Sequence, residues 1–237
     1  MANRAALLID LDGVLYEGDR IVEGAAACVR WLVERRVPHL YVTNTTSRPR
    51  QAIVDRLKAL GIETESEKIL TPLVAASRWL SENAPGVCAA FVPAATCGDL
   101  TGVELLDKRA ETGARSVVLG DLGDAWDYAT LNRAFRLLMD EPAPVFVALG
   151  MTRYWRAPDG LRIDVAAFVR ALECAAGVEA VVLGKPAPAF FDTALAVLGA
   201  TRDTATMIGD DIVSDVNAAQ DLGMTGVLVR TGKFRAS

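Results

Sequence analysis

Short apolar runs alternate with segments of helical periodicity at the start of the chain. Residues 5–9 (AALLI) form an apolar run that ends at Asp10 and predicts a buried parallel strand, and residues 39–44 (HLYVTN) predict a second strand. A helix is predicted after each strand, because apolar residues recur three and four positions apart, at Ala25, Cys28, Val29, Leu32 and Val33 and again at Ile53, Val54, Leu57 and Leu60.

The same alternation returns at the end of the chain. Strands are predicted at residues 181–183 (VVL), 205–209 (ATMIG) and 226–229 (GVLV), with one helix that begins at Pro188 and another over 216–222. Strands that alternate with helices build a parallel sheet covered on both faces. We therefore predict an α/β fold with a Rossmann-like, doubly wound parallel sheet that binds ligands at the carboxyl ends of its strands.

The middle of the chain holds a second set of alternating elements. Strands are predicted at 87–92, 116–121 and 144–150, and helices near 73–83, 126–139 and 164–175. These elements could extend the first sheet, but they are numerous enough to close a hydrophobic core of their own. We predict an inserted α/β domain over 73–179, between the two parts of one core domain, 1–72 and 180–237.

Composition and charge exclude several classes of partner. Of the 237 residues 51% are hydrophobic, yet no apolar run approaches the roughly 18 to 20 residues of a membrane-spanning helix. Acidic residues follow the first apolar run too early for a signal peptide, which predicts a soluble, cytoplasmic protein without a membrane partner. The net charge of -5 and the lack of a basic run argue against a nucleic-acid partner.

The supply of imidazole and thiol groups restricts the chemistry. The only histidine, His39, stands in an apolar stretch without an acidic neighbour, so we interpret it as structural. The four cysteines form no C-x-x-C pair, which argues against a disulfide framework or a zinc site and favours reduced thiols. Carboxylates are therefore the main candidates for catalysis.

Two acidic clusters follow predicted strands. Asp10 and Asp12 end the first strand, and Asp210, Asp211 and Asp215 follow the strand 205–209. Each cluster alone is ambiguous, since the first could be a solvated turn and the second could be the charged start of a helix. Two such clusters at the edge of one parallel sheet would instead form an oxygen cage for a hard cation such as Mg2+.

Two further strand ends carry groups that suit a phosphoryl ligand. The hydroxyl of Thr43, with nearby backbone amides, could hold phosphoryl oxygens, and Lys185 in Gly184-Lys185-Pro186 could offset their charge. The competing interpretations are a turn and a surface lysine. Lys185 is not a P-loop lysine, because the P-loop glycine spacing is absent and a proline follows it; no G-x-G-x-x-G follows a strand either.

The order of these motifs resembles the haloacid dehalogenase superfamily of phosphohydrolases. The resemblance is carried by Asp10-x-Asp12-Gly13-Val14-Leu15, Thr43-Asn44, Gly184-Lys185-Pro186 and Gly209-Asp210-Asp211-x-x-x-Asp215, and it spans nearly the whole chain. The inserted domain is similar to the α/β cap of subfamily IIA. The segments GKPAPAFF, MIGDDIVSDV and VRTGKF also resemble phosphatases of that subfamily.

The resemblance implies a role for each motif residue. Asp10 would be the nucleophile and Asp12 the general acid and base. The hydroxyl of Thr43, the amides of Asn44, Leu11 and Asp12, and the ammonium of Lys185 would hold the phosphoryl group. Mg2+ would bind the carboxylates of Asp10 and Asp210 and the backbone carbonyl of Asp12. Asp211 and Asp215 would be outer residues that orient the ligands.

The chain departs from these relatives in two ways. They carry serine where this chain has Asp12, which suggests the hypothesis that it handles alkyl phosphates better, since an alkyl leaving oxygen needs a proton. They also continue beyond GKF into a further strand and helix, whereas this sequence stops at Ser237, which predicts a less covered sheet edge. By analogy only, two copies would pair as a homodimer through the inserted domain.

Substrate choice is expected to reside in the inserted domain. There Arg153, Tyr154, Trp155 and Arg156 form a group that either contacts substrate or is a surface feature. The leading hypothesis is a Mg2+-dependent phosphohydrolase acting on a small phosphorylated molecule, namely a phosphate monoester, pyrophosphate or a phosphoamino acid. The alternatives are hydrolysis of carbon-halogen or carbon-phosphorus bonds on the same fold, and a non-catalytic, receiver-like protein that responds to phosphate.

Overall fold

The computed structural model describes residues 5–157 and 159–234, which form two compact units. The first unit comprises 5–43, 50–71 and 185–234, and the second comprises Asn44–Pro49 and Pro72–Gly184. The predicted α/β class with parallel sheets is confirmed in both units. Within the described ranges, no helix is both long and apolar enough to cross a membrane.

A five-stranded parallel sheet forms the centre of the first unit, in the order β13-β12-β1-β4-β5. Its strands are β1 (Ala6–Asp10), β4 (His39–Val42), β5 (Ile69–Leu70), β12 (Ala205–Gly209) and β13 (Thr225–Leu228). A short antiparallel hairpin, β2 (Tyr16–Glu17) and β3 (Arg20–Ile21), follows β1. This hairpin is absent from the predicted elements, because its strands are only two residues long.

Four α-helices complete the first unit: α1 (Ala25–Glu34), α2 (Arg50–Ala59), α6 (Pro188–Leu198) and α7 (Ala218–Asp221). A π-helical segment, Ile212–Asn217, precedes α7, where the sequence predicts an ordinary helix over 216–222. The difference begins at Asp211, whose carbonyl accepts the N–H groups of both Asp215 and Val216 and so widens the first turn. Such segments are common at functional sites.

Apolar side chains from the sheet and its helices form the core of the first unit. Leu11, Tyr41 and Leu57 are fully buried, and Ile9, Val29 and Leu32 are nearly so. The buried positions of α1 and α2 keep the helical spacing predicted from the sequence. Cys28 and Val33, which the pattern places on the apolar face of α1, are exposed instead, because the buried face of this ten-residue helix is narrower than predicted. Burial of these faces fixes the strands and hence the loops at their carboxyl ends.

The second unit contains a four-stranded parallel sheet in the order β11-β8-β7-β6 and an antiparallel hairpin, β9 with β10. The strands are β6 (Cys88–Phe91), β7 (Ser116–Leu119), β8 (Val145–Ala148), β9 (Tyr154–Ala157), β10 (Gly160–Ile163) and β11 (Val181–Val182). The helices are α3 (Pro72–Asn83), α4 (Tyr128–Leu138) and α5 (Val165–Ala176). Asp127 and Asp164 cap α4 and α5 through their side chains.

The strand β11 lies in a different sheet from the one predicted. The sequence assigns residues 181–183 to the core domain, but Val181 pairs with Val147 and Val182 with Ala148 of β8. A two-residue apolar strand can add to either sheet. Here β11 pairs with β8, on the side of β8 opposite to β7. The contacts therefore end the second unit at Gly184, whereas the sequence places that boundary at 179.

Candidate active site

Three strands of the first unit place polar side chains at one edge of the sheet. In the register, Asp10 pairs with Val42 on one side of β1, and Ile9 pairs with Ile208 on the other. Thr43 follows Val42 directly, and Asp210 follows Ile208 after one intervening residue, Gly209. In the strand order, β4 and β5 lie on one side of β1 and β12 and β13 lie on the other. Parallel α/β sheets bind ligands at the carboxyl end of a strand where the order divides in this way.

The carboxylates of Asp10, Asp210 and Asp215 come together at this edge. Each offers one oxygen, and the three oxygens lie within 4.8 Å of one another. All three residues are buried, Asp215 completely. Three buried carboxylates so close together are stable only with positive charge beside them or with a proton on one of them.

Lys185 supplies part of that charge. Its Nζ lies 2.8 Å from Asp10 Oδ1 and 2.7 Å from Asp215 Oδ1, and its side chain is almost fully buried. Burial alone would lower the pKa of Lys185, but the carboxylates of Asp10 and Asp215 outweigh it and raise the pKa above its ordinary value. Lys185 is therefore a buried ion-pair residue, and the interpretation of it as a surface lysine is wrong.

Asp210 retains an oxygen that suits a cation. Its Oδ2 accepts the backbone N–H of Lys233 at 2.7 Å, while Oδ1 is buried and has no hydrogen-bond partner within the described part of the chain. Burial raises the pKa of Asp210. A buried, unpartnered carboxylate oxygen near two other carboxylates is a donor set for a hard divalent cation, because such ions prefer oxygen ligands. The residues therefore fit the cation that the sequence predicts.

The loop after β1 presents Asp12 and holds Leu11 in the core. Leu11 is fully buried, and its carbonyl accepts the N–H of Leu15 at 2.8 Å. Asp12 is exposed, so its carboxyl can reach a substrate. Gly13 has φ +81°, and a Cβ there would lie 2.0 Å from Asp210 Oδ2. Only glycine lets this loop backbone approach Asp210 so closely.

Thr43 and Asn44 are divided between the two units. Thr43 is buried in the first unit, where its N–H donates to the carbonyl of Leu70 at 3.2 Å. Asn44 is the first residue of the second unit, and its Oδ1 lies beside Gly184. A phosphoryl-binding role for either residue stays a prediction.

Asp211 and Asp215, which the sequence treats alike, lie in different surroundings. Asp215 belongs to the buried carboxylate cluster. Asp211 accepts the N–H groups of Val213 and Ser214 and pairs with Lys233 Nζ at 2.8 Å. Burial raises the pKa of Asp211, but the ammonium of Lys233 and the two backbone donors prevail and lower it to about 2.

Sequence reasoning assigned no role to the residues after β13. Lys233 contacts both Asp210 and Asp211, Thr231 donates its hydroxyl to the carbonyl of Gly13, and Gly232 donates its N–H to Glu17. A cleft of about 370 Å³ lies here, lined by Asp210, Asp211, Ile212, Leu228, Lys233 and Phe234. Only the resemblance of the segment VRTGKF to relatives pointed to these residues. The backbone N–H contacts of Gly232 and Lys233 leave no recognisable pattern in a single sequence.

The remaining polar candidates lie outside this cluster. His39 is buried at the opposite end of β4, where its Nδ1–H donates to the carbonyl of Val37 at 2.8 Å and burial lowers its pKa, as a structural residue would show. Tyr154 and Trp155 are exposed on the β9–β10 hairpin of the second unit, and Arg153 lies over the Tyr154 ring.

Comparison with known proteins agrees with this geometry. The family "haloacid dehalogenase-like hydrolase" matches residues 7–105, and a related HAD-hydrolase-like family matches 182–237. The chain is 36% identical over 241 residues to phospholysine phosphohistidine inorganic pyrophosphate phosphatase of Homo sapiens, an alignment that covers 100% of this chain and 87% of that protein.

Solved structures show the same fold. The p-nitrophenyl phosphatase from Archaeoglobus fulgidus is 26% identical with a TM-score of 0.86, over 97% of this chain and 87% of its own. The glycerol phosphate phosphatase from Mycobacterium tuberculosis, in complex with calcium, is 28% identical with a TM-score of 0.82, over 96% of this chain and 66% of its own. The chain therefore belongs to the haloacid dehalogenase-like hydrolases, as the order of its motifs predicts.

Proposed function

We propose that this protein is a Mg2+-dependent phosphatase that cleaves a small phosphorylated molecule through a phosphoryl group carried transiently on Asp10. The observation that supports this most is the meeting of Asp10, Asp210 and Asp215 within 4.8 Å beside the ammonium of Lys185. It combines a carboxylate nucleophile, a cation site and a fixed positive charge, as phosphoryl transfer requires.

In the first step a carboxylate oxygen of Asp10 attacks phosphorus, and the bond from phosphorus to the leaving oxygen breaks. Asp12 gives its proton to that oxygen, so the product leaves as an alcohol. The exposure of Asp12 on the loop after β1 supports this role. The result is an aspartyl phosphate on Asp10 and an ionised Asp12.

In the second step water attacks the same phosphorus atom. The Asp12 carboxylate takes a proton from the water, the bond from the Asp10 oxygen to phosphorus breaks, and phosphate is released. Both carboxyl groups return to their starting states. One acid therefore serves both half-reactions in turn.

Asp10, Asp210 and the backbone carbonyl of Asp12 would hold Mg2+. When bound, the ion offsets the negative charge of the phosphoryl group and the carboxylates. Lys185 adds positive charge beside Asp10 and pairs with Asp215 at 2.7 Å, so we assign Asp215 to positioning Lys185. Asp211 would act indirectly, by holding the side chain of Lys233, whose backbone N–H contacts Asp210.

We propose that the second unit is the cap domain that the resemblance implies and that it selects the substrate. The exposed rings of Tyr154 and Trp155 on the β9–β10 hairpin support this role. Trp155→Ala is expected to change the KM values of phosphorylated metabolites while p-nitrophenyl phosphate still turns over. The cytoplasmic location, the homodimer and the absence of nucleic-acid and membrane partners stay predictions.

Hydrolysis of p-nitrophenyl phosphate with Mg2+ and with a chelator tests the proposal. Turnover should require the cation, and Asp10→Asn should lower kcat by about a millionfold, the scale of losing a catalytic nucleophile. Asp99→Asn is a matched control, because Asp99 is as buried as Asp10, both 8% exposed, but lies in the second unit. Its folded fraction should keep wild-type kcat.

The same assay separates the alternatives. A dehalogenase would hydrolyse a haloacid without needing a cation. The buried Oδ1 of Asp210, which has no hydrogen-bond partner within the described residues, argues against a dehalogenase because it suits a cation. A receiver-like protein would become phosphorylated and stop, giving no steady turnover. Turnover that survives Asp10→Asn would refute the assignment of the nucleophile.

A further inference from the structure

The turn at Thr231, Gly232 and Lys233, which follows β13, contacts both loops that carry the proposed cation ligands. The Thr231 hydroxyl donates to the carbonyl of Gly13, next to Asp12. The backbone N–H of Lys233 donates to Asp210 Oδ2 at 2.7 Å. We call residues 231–233 the closing turn.

The closing turn approaches Asp210 too closely for any side chain at its centre. Gly232 has φ +60°, and a Cβ there would lie 2.1 Å from Asp210 Oδ2 and 2.6 Å from the Cα of Gly13. The N–H of Gly232 also donates to a carboxylate oxygen of Glu17 on the β2–β3 hairpin. The turn therefore joins the Asp210 loop, the Asp12 loop and the hairpin at a single point.

These contacts leave one oxygen of Asp210 available for the proposed cation. Because Oδ2 is held by a backbone donor, the carboxylate cannot rotate freely, and Oδ1 remains as the oxygen without a hydrogen-bond partner within the described residues. The hydroxyl of Thr231 fixes the backbone one residue after the Asp12 carbonyl. Groups that hold a ligand in this way raise metal affinity by orienting it in advance.

We infer that the closing turn is a positioning element that sets the affinity of the cation site by holding Asp210 and the Asp12 loop in their binding geometry. The inference rests on the proposed function, since it concerns the cation of that same site. It differs from a role in covering the edge strand β13, which would affect folding stability and leave cation affinity unchanged.

Two kinds of variant test the closing turn. Gly232→Ala introduces the Cβ that would collide with Asp210, and Thr231→Val removes the hydroxyl at nearly constant shape, with Thr231→Ser as the conservative rescue. The matched control is Gly199→Ala, because Gly199 also has φ +60° but nothing lies within 4 Å of a Cβ there. Both glycines have the same φ, and only at Gly232 would the added Cβ meet the site.

The first readout is the Kd for Mg2+, measured by isothermal titration calorimetry on folded protein, and it does not depend on turnover. Gly232→Ala should raise Kd by at least about tenfold and Thr231→Val by less, whereas Thr231→Ser and Gly199→Ala should stay within about twofold of wild type. In assays, the Mg2+ concentration for half-maximal rate should rise in the same order, with the KM for p-nitrophenyl phosphate unchanged.

The outcomes separate this inference from the proposed function. A wild type that turns over p-nitrophenyl phosphate with Mg2+, together with a Gly232→Ala Kd equal to that of Gly199→Ala, overturns the inference and leaves the phosphatase proposal standing. If Gly232→Ala does not fold, a Thr231→Val Kd equal to that of wild type overturns it. A wild type that neither binds Mg2+ nor turns over refutes the proposed function, and the inference with it.

Discussion

The two units of this protein share an architecture and differ in the residues found at the carboxyl ends of their strands. Each is a parallel sheet with helices, of five strands in the first unit and four in the second. Strands β1, β4 and β12 of the first unit lead into Asp10, Thr43 and Asp210. Strands β6, β8 and β11 of the second unit lead into the buried apolar residues Val92, Leu149 and Leu183.

Buried charge shows the same contrast. The buried charged residues in the described part of the first unit are Asp10, Lys185, Asp210 and Asp215, whereas in the described part of the second unit Asp99 alone is buried. Burying charge costs free energy that hydrophobic residues of similar size would not cost. A parallel sheet provides the edge where strand ends meet, and a few costly side chains turn that edge into a site.

The largest expected effect comes from removing the buried ammonium group of Lys185. Lys185→Met leaves Asp10 and Asp215 unpaired beside each other and should lower the free energy of unfolding by about 3 to 5 kcal/mol. Ser77→Ala in the second unit removes one partly buried hydrogen bond, from the Ser77 hydroxyl to Thr101 O at 2.6 Å. It should cost only about 1 kcal/mol.

Urea unfolding of both variants checks this difference. Adding Asp215→Leu to Lys185→Met should restore part of the loss, because it removes one of the stranded charges. Equal losses in Lys185→Met and Ser77→Ala would break the contrast between the units.

Cation binding should stabilise the first unit specifically. Mg2+ at a hundred times its Kd should raise the free energy of unfolding by about 2.7 kcal/mol. Asp210→Asn should abolish most of this gain, and Asp99→Asn in the second unit should keep it. Thermal unfolding with and without Mg2+ measures the gain, and an Asp210→Asn variant stabilised as much as wild type would contradict the cation assignment.

The proton donor should act on some leaving groups more than on others. Asp12→Ser should lower kcat/KM for an alkyl phosphate by about a hundredfold, the lower range for general acid catalysis, and for p-nitrophenyl phosphate by much less, because nitrophenolate needs no proton. Asp99→Asn in the second unit should leave kcat/KM for both substrates near the wild-type values. Equal losses on both substrates in Asp12→Ser would reject the donor role.

The smallest expected effect concerns pH. Asp211 and Asp127 both cap helical segments, and Asp to Asn keeps a good cap while removing the charge. The pKa of Asp211 falls from 3.8 to about 2 on folding, so its stabilisation is complete above pH 3.8 and is lost as the pH falls towards 2. Asp127 accepts the N–H of Thr130, which lowers its pKa without a cation.

Unfolding in a chelator at about pH 7 and about pH 3 measures this effect. Asp211→Asn should cost about 1 kcal/mol at the higher pH after solvent screening, and the cost should shrink at the lower pH. Asp127→Asn should cost less at both. If Asp211→Asn lowered the free energy of unfolding equally at both pH values, the charge of Asp211 would not contribute to stability.

Much of the fold could be predicted because a clear apolar pattern over five or more residues indicates the secondary structure of its segment. The helix predicted over 126–139 is α4 at Tyr128–Leu138, and the strand predicted at 205–209 is β12 over the same residues. Short segments carry no such signal. The two residues of β11 do not encode which sheet they join, and the hairpin β2–β3 is too short for alternation to show.

Part of the site could be predicted for a topological reason. Parallel strands that end at one edge bring their following residues together, so the proximity of Asp10 and Asp210 follows from the order of strands and helices. The closing turn could not be found this way. Its contacts are backbone donors and a close glycine approach, which depend on how a loop folds back after its strand.

Anomalous diffraction from crystals soaked in Mn2+, as a stand-in for Mg2+, would locate the proposed cation site. We expect one strong peak at about 2.0 to 2.2 Å from a carboxylate oxygen of Asp10 and from Oδ1 of Asp210, with Asp215 still paired with Lys185. A peak bound elsewhere, or no peak at this cluster in protein that hydrolyses phosphate esters, would contradict the proposed site.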